Sequence, residues 1–345
     1  MVNVVITGGA GFLGSRLARE LLAAGPLVVA GGEARPLSRM TLIDQAPVPP
    51  DLAADERVTA IRGDLVELLD SAAGGPDTLA IGGSGDKAEV IFHLAAAVSG
   101  ECEADFDLGI RANLRATEAL LASCRALGTS PLVVFTSSLA VFGGSGDHPL
   151  PEVVDDQTLP NPQTSYGAQK VIGEQLLADY TRKGFLRGRA LRLVSVSVRP
   201  GRPNAAASGF MSGIIREPLA GQRATCPVGP DTEVALASPA KAIAGLRCAA
   251  TASDQAWGGR SAVNLPALTI SVADMAAALS RIAGPQVSAL IDWIPDPEVA
   301  RMVASWPARV RADRAARLGL TPDPDFDSII RMHLAESRSG ADSGP

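Results

Sequence analysis

The 345-residue chain is short of the residues that most often announce a specialised chemistry. Its four cysteines, at 102, 124, 226 and 248, form no C-x-x-C pair and no dense framework. That excludes a zinc knuckle and a disulfide scaffold, and leaves buried apolar packing as their role. The three histidines, at 93, 148 and 333, lie too far apart for a paired-ligand motif, so no metal site is expected. Aromatic residues make up only 4%, and tyrosine occurs twice, as Tyr166 and Tyr180. Every apolar run is broken by glycine, proline or charge well before the ~20 residues that cross a bilayer. The N-terminus shows no basic leader or cleavage site, so no membrane contact is expected and a cytoplasmic location is. A formal charge of −6 offers no global positive field, which argues against nucleic acid as a partner and leaves small anions in play.

What the chain does hold is 46% apolar against 20% charged residues, enough for a sizeable core, with 35 Gly and 25 Pro marking many tight turns. Nothing repeats at the 20–50-residue periods of solenoids or propellers. Residues 2–7, VNVVIT, read as a strand that runs into GGAGFLG and then the amphipathic SRLARELLAAG, closed by Gly25. Strand-like runs follow at 41–43, 58–61, 90–94, 132–136 and 191–198, with helical patterns over 104–127 and 166–180. The alternation predicts an α/β fold, a doubly wound parallel sheet of Rossmann type with helices on both faces. After about residue 199 the rhythm is lost: a loop, RPGRPNAAAS, precedes the helical GFMSGIIREPLAG and a series of short elements. We therefore expect a first domain over 1–198, a smaller α/β lobe over 199–333 with some strands free to return to the main sheet, and a disordered tail over 334–345.

Gly8, Gly11 and Gly14 form G-x-x-G-x-x-G between the first strand and the first helix, with Phe12 and Leu13 inside the turn. The early glycines permit a tight turn and close approach of a pyrophosphate, and the third lets helix pack on strand. The helix N-terminus adds unpaired N–H groups and partial positive charge. Asp44 ends the second strand, where a carboxylate accepts hydrogen bonds from adenosine ribose hydroxyls. The insertion GGEARPLSR accounts for its distance from the glycines. An acid there repels a 2′-phosphate and favours NAD over NADP, although Arg35 and Arg39 are near enough in sequence to offer a guanidinium to that phosphate. Asp64 and Leu65 are placed to cradle adenine, and Leu94, Ala95, Ala96 and Ala97 end the fourth strand with residues that let the cofactor approach. His93 reads as a satisfied core histidine.

Tyr166 and Lys170 stand four apart, on one helix face and about 6 Å apart along the axis. A phenol with pKa near 10 is a poor base, and an accessible phenolate at neutral pH requires roughly 4 kcal/mol of preference. One ammonium about 4 Å away at an effective dielectric near 20 supplies about that much. The fifth strand ends in Ser138, a hydroxyl at the sheet edge where ligands bind in open α/β folds. Asn113, a poor helix former inside a helical pattern, has a side chain able to hold a backbone carbonyl and a water for proton exit, or simply to face solvent.

TGGAGFLG, Asp44, Asp64, HLAA, Asn113, the TSS strand end and YGAQK together resemble an extended short-chain dehydrogenase/reductase of the NAD-dependent epimerase/dehydratase type, over at least residues 2–200. The resemblance implies NAD bound at the sheet edge and a catalytic set of Ser138, Tyr166, Lys170 and Asn113. Tyrosine would exchange the substrate proton, and Lys170 would hold the nicotinamide ribose and favour the phenolate. It also implies a homodimer through the helices bearing Asn113 and Tyr166.

Many nucleotide-sugar members close the sixth strand with Asn, and this chain has Ser195 there, which weakens that reading and leaves Ser195 beside the cofactor. VRPGRPNAAAS with GFMSGIIREPLAG is closer to members that oxidise a four-carbon sugar acid at its C2 hydroxyl with NAD. A small polyhydroxy carboxylate needs a guanidinium and short polar side chains. Arg199, Arg216, Asn204, Ser208 and Ser99 are the candidates, with Ser138 and Tyr166 at the reacting oxygen. Glu233 and Ala235 depart from a basic residue and a tryptophan usual in that group. The competing readings are a nucleotide-sugar 4-epimerase or dehydratase and, from another class, a non-catalytic dinucleotide-sensing protein.

Overall fold

The structure is a computed structural model that describes residues 1–70, 79–81, 86–201 and 207–341. Its principal strands are β1 (Val2–Thr7), β2 (Leu37–Asp44), β3 (Val58–Arg62), β4 (Val90–His93), β5 (Leu132–Ser138), β6 (Arg187–Leu193), β7 (Ser195–Val196), β8 (Ala224–Cys226), β9 (Glu233–Ala237), β10 (Val263–Asn264), β11 (Leu268–Ser271) and β12 (Ile291–Trp293). The helices that matter below are α1 (Phe12–Ala23), α2 (Leu65–Asp70), α3 (Ser99–Ala104), α4 (Ala116–Leu127), α5 (Ser165–Arg182), α6 (Phe210–Leu219), α7 (Pro239–Thr251), α8 (Val272–Ala283) and α9 (Phe326–Ala341).

Seven strands form one sheet in the order β10-β6-β5-β4-β1-β2-β3. The pairings β1–β2, β1–β4, β2–β3 and β4–β5 are all parallel. The run from β3 back to β1 and then out through β4 to β6 is the Rossmann order, and the reversal between β1 and β4 opens a crevice at their carboxyl ends. The expected fold class is therefore the observed one. Alternate residues of the strands face one side: Val5, Ile43, Ile91, Val133 and Phe135 pack under Leu65 and Leu69 of α2, Leu120 and Cys124 of α4 and Leu177 of α5. Gly173 sits where α5 crosses β5, and an added Cβ would lie 2.7 Å from the Phe135 ring, so a helix-weakening glycine is retained for close approach.

The chain divides into two compact units, the first made of 1–141, 164–192 and 243–263, the second of 142–163, 193–242 and 264–345. This differs from the continuous division at 198/199, because residues 142–163 and 193–198 leave the first unit and 243–263 return to it. In the second unit β11-β9-β7 form a separate sheet and β8 pairs with β12. Its core gathers Met211, Ile214 and Ile215 of α6, Met275 and Leu279 of α8, and Phe326, Ile329 and Ile330 of α9. Burial of those three α9 residues anchors a helix that continues to Ala341, so residues 334–341 are helical where a disordered tail was expected.

Two further expectations are corrected. The apolar run 191–198 is not one strand: β6 stops at Leu193, and β7 pairs with β9 in the other sheet. The helical pattern 104–127 is interrupted, with α3 and a short helix Phe106–Gly109 followed by a π-helical segment Ile110–Arg115 before α4 begins. Among the described residues no helix is long and apolar enough to cross a membrane.

Candidate active site

At the switch point the glycine turn takes the form its spacing requires. Gly8 has φ +72°, and an added Cβ would lie 2.7 Å from the Ala95 nitrogen, while one on Gly14 would lie 2.0 Å from the Gly8 oxygen. The first contact presses the turn against the Leu94–Ala97 loop, and the second seats α1 on the turn. Gly11 caps α1 with no side-chain hydrogen bond, and the first turn, with Phe12 and Leu13, carries no acid. The N–H groups of the first turn therefore meet no carboxylate from their own helix, which leaves them open to an anion.

Asp44 accepts from the Ala10 nitrogen through Oδ2 at 2.9 Å and from the Ala46 nitrogen through Oδ1 at 2.9 Å, which fixes its carboxylate beside the glycine turn. Arg35 is paired with Glu89, and Arg39 lies on the far half of β2, five residues before the strand's carboxyl end. Neither arginine is placed to receive a 2′-phosphate. Arg62, paired in register with Asp44, donates to the Gln45 carbonyl at 3.0 Å. Asp64 caps α2, accepting from the Val66 nitrogen at 2.9 Å, and also accepts from Arg111 Nε at 3.1 Å, while Leu65 is buried as the first residue of that helix. Glycines that a Cβ would obstruct, a helix N-terminus without a side-chain cap and a carboxylate fixed beside the glycine turn together fit a dinucleotide.

His93 is a core residue. Thr117 donates to the Asn113 carbonyl at 2.6 Å, so its oxygen accepts from His93 Nε2 at 3.0 Å, and Nδ1 accepts from Thr7 Oγ1 at 2.7 Å. Burial, with Lys170 adding to it, pushes its pKa down to about 3 and keeps the imidazole neutral.

Asn113 lies in the π-helical segment, buried rather than facing solvent. Its Oδ1 accepts from the Ala97 nitrogen at 2.8 Å, and its Nδ2 donates to the Ala97 carbonyl at 3.2 Å and to Gln169 Oε1 at 2.7 Å. The side chain thus ties the loop after β4 to α5. Ser138 ends β5 half-buried, its Oγ accepting from the Ala140 nitrogen at 3.1 Å. Thr164 caps α5 by accepting from the Gly167 nitrogen at 3.1 Å, which sets the turn that carries Tyr166. Tyr166 is partly exposed, and Lys170 is 3% exposed with Nζ 5.5 Å from the Tyr166 ring centre and 4.9 Å from that of Phe135. Burial pushes the Lys170 ammonium down to a pKa of about 8, and Cys102 and Glu174 act against that fall. Ser99, also in this unit, is the buried first residue of α3.

In the second unit Ser195 opens β7. Arg199 donates to Ser208 Oγ at 2.9 Å and to the Val196 carbonyl at 3.0 Å, and its own carbonyl accepts from Arg216 Nη1 at 2.7 Å. Arg216 is also paired with Glu217, so Arg199, Ser208 and Arg216 form one cluster. Asn204 lies outside the described residues. Glu233 is paired with Arg309, and Ala235 is buried in β9. Sequence reading missed the buried group of Ser137, Glu174 and Arg192 beside Lys170. Its available signal was Arg192, set between Leu191 and Leu193 in a strand, β6, that carries three arginines.

The NAD dependent epimerase/dehydratase family matches residues 4–235. A D-erythronate dehydrogenase of Cupriavidus necator is 49% identical over 342 residues, covering 97% of this chain and 99% of that protein. A D-erythronate dehydrogenase of Haemophilus influenzae is 37% identical, covering 96% and 99%. Among solved structures, one titled as the nucleoside-diphosphate-sugar epimerase from Agrobacterium tumefaciens superposes with a TM-score of 0.86 at 39% identity, covering 98% of this chain and 95% of that one. The chain therefore belongs to the NAD dependent epimerase/dehydratase family, as an oxidoreductase that uses NAD.

Proposed function

We propose that the protein oxidises the C2 hydroxyl of a short sugar acid of the D-erythronate type, giving the 2-oxo acid and NADH. The near full-length identity to the Cupriavidus necator enzyme carries the choice of substrate. The chemistry is supported by Lys170, a buried cation one helical turn from one of only two tyrosines.

Gly8, Gly11, Gly14, Asp44 and the Leu94–Ala97 loop would hold NAD, which would supply the hydride acceptor. Tyr166 as phenolate takes the proton of the C2 hydroxyl. The Lys170 ammonium, itself buried, stabilises that phenolate electrostatically. Ser138 donates a hydrogen bond to the reacting oxygen, and Asn113 fixes the loop that borders the cofactor. In the second unit we assign Arg199, with Ser208, to the substrate carboxylate. Arg216 serves Arg199 by binding its carbonyl. We further propose a homodimer, on the exposure of Phe106 (62%), Leu108 (41%) and Ile172 (42%) on the helical segments near Asn113 and Tyr166.

The test is a plate of four- to six-carbon aldonates with NAD or NADP, followed by NADH or NADPH absorbance. D-erythronate with NAD is expected to give the largest kcat/KM. Tyr166→Phe is expected to lower it by 10²- to 10⁴-fold, and full turnover in that variant removes the tyrosine from the base role. The likeness to the Agrobacterium tumefaciens structure, titled an epimerase, favours the second reading. Isomerised UDP- or GDP-sugar without net NADH would establish it.

A further inference from the structure

Glu174 lies one turn beyond Lys170 on α5, with only 4% of its surface exposed. Its carboxylate receives Arg192 bidentately, Nε to Oε1 at 2.8 Å and Nη2 to Oε2 at 2.7 Å, and also accepts from Ser137 Oγ. Arg192 is on β6 and Ser137 on β5, next to Ser138, so one carboxylate ties three elements together. A buried ion pair of this kind adds little net stability, because desolvating two charges costs about as much as their attraction returns. Stability alone does not account for it.

Among the described residues the titratable and charged groups facing Lys170 are few. Cys102 comes from α3, His93 from β4, Tyr166 and Glu174 from its own helix, and Arg192 is held by Glu174. His93 is neutral, and burial raises the Cys102 thiol so that it stays protonated. Of these groups, Glu174 is the one that carries negative charge before a substrate proton moves. The burial of Lys170 works against an ammonium, and this carboxylate works for it.

We propose that Glu174 is a positioning residue of this site: clamped by Arg192 and Ser137, it keeps the buried Lys170 as an ammonium and fixes the end of β5 that carries Ser138. The proposal rests on the assignment of Lys170 as the electrostatic partner of Tyr166. A purely structural clamp would hold the three elements without affecting the charge on Lys170.

The chain has four lysines, Lys87, Lys170, Lys183 and Lys241, so protein labelled with ¹³C-lysine gives four ε-carbon signals, with that of Lys170 identified by its loss in Lys170→Met. The titration is run on the cofactor-free wild type, on Glu174→Gln, and on Glu174→Gln/Arg192→Met, which leaves no unpaired buried guanidinium to unfold the protein. The Lys170 midpoint is expected to fall by about one pH unit in the single variant, and by less in the double variant, where loss of the Arg192 cation offsets part of the lost carboxylate. The alkaline limb of kcat/KM is expected to move down with it. A Lys170 midpoint at the wild-type value in the single variant, or raised above it in the double variant, overturns the proposal. Failure of the dehydrogenase reading gives a different result, a wild type that forms no NADH from any aldonate whatever its titration.

Discussion

A lysine with 3% exposure is an expense to the folded state that its catalytic assignment explains. Unfolded, its ammonium titrates near the ordinary 10.5, whereas folded it titrates at about 8. Between those values the unfolded chain binds more protons, so this group adds stability as pH rises from 8 toward 10.5, and its full cost is present below 8. Lys170→Met is therefore expected to abolish turnover and yet raise the unfolding free energy at pH 7 by ~2–3 kcal/mol, a gain that shrinks by pH 10 in urea titrations. Asp44 allows a second substitution. Asp44→Ala removes the bonds to Ala10 and Ala46 and leaves the cross-strand Arg62 without an acid in register, so NAD is expected to bind about 10- to 100-fold more weakly while NADP gains relative to it, measured as KM for each. Gly8, Asp44, Tyr166 and Lys170 were legible in the sequence because each depends on local geometry: a turn, a strand end, or two residues one helical turn apart. Glu174 was not, since an acid on a helix reads as solvent-facing until the strand that brings Arg192 to it is known.

At the scale of elements, the strands that line the crevice and the helix carrying Tyr166 fell close to their expected positions, because their apolar periodicity is set by burial against one sheet. The helix over 104–127 did not. A π-helical segment holds one residue more per turn than the α-helical period assumes, which rotates Asn113 inward, and hydrophobic spacing carries no mark of that extra residue. Its bonds to both backbone groups of Ala97 compensate for the irregular turn. Asn113→Ala leaves these backbone groups and Gln169 without their partner. It is expected to cost about 2–3 kcal/mol in thermal or urea unfolding and to raise KM for NAD, as the loop after β4 loosens. The division of 191–198 between β6 and β7 was equally hidden, since the alternation of Leu, Val and Ser continues unbroken across the change of sheet.

For the whole molecule, the strand order could be anticipated from the βα alternation, but the interleaving of the two units could not, because it depends on residues far apart in sequence. The proposed dimer has its own test at this scale. Ile172→Glu combined with Phe106→Glu is expected to convert a sedimenting dimer to monomer, and a wild type already monomeric at micromolar concentration would end that proposal. The three-part first unit also bears on how the protein is made. Its last stretch, residues 243–263, follows the first by more than a hundred codons. A ribosome adding about 5–20 residues per second needs on the order of ten seconds to deliver it. From the end of β6 at Leu193 until β10 at Val263–Asn264 has emerged, a partly assembled nascent sheet keeps its β6 edge without the strand that will cover it, a period of vulnerability in which a chaperone would find its substrate.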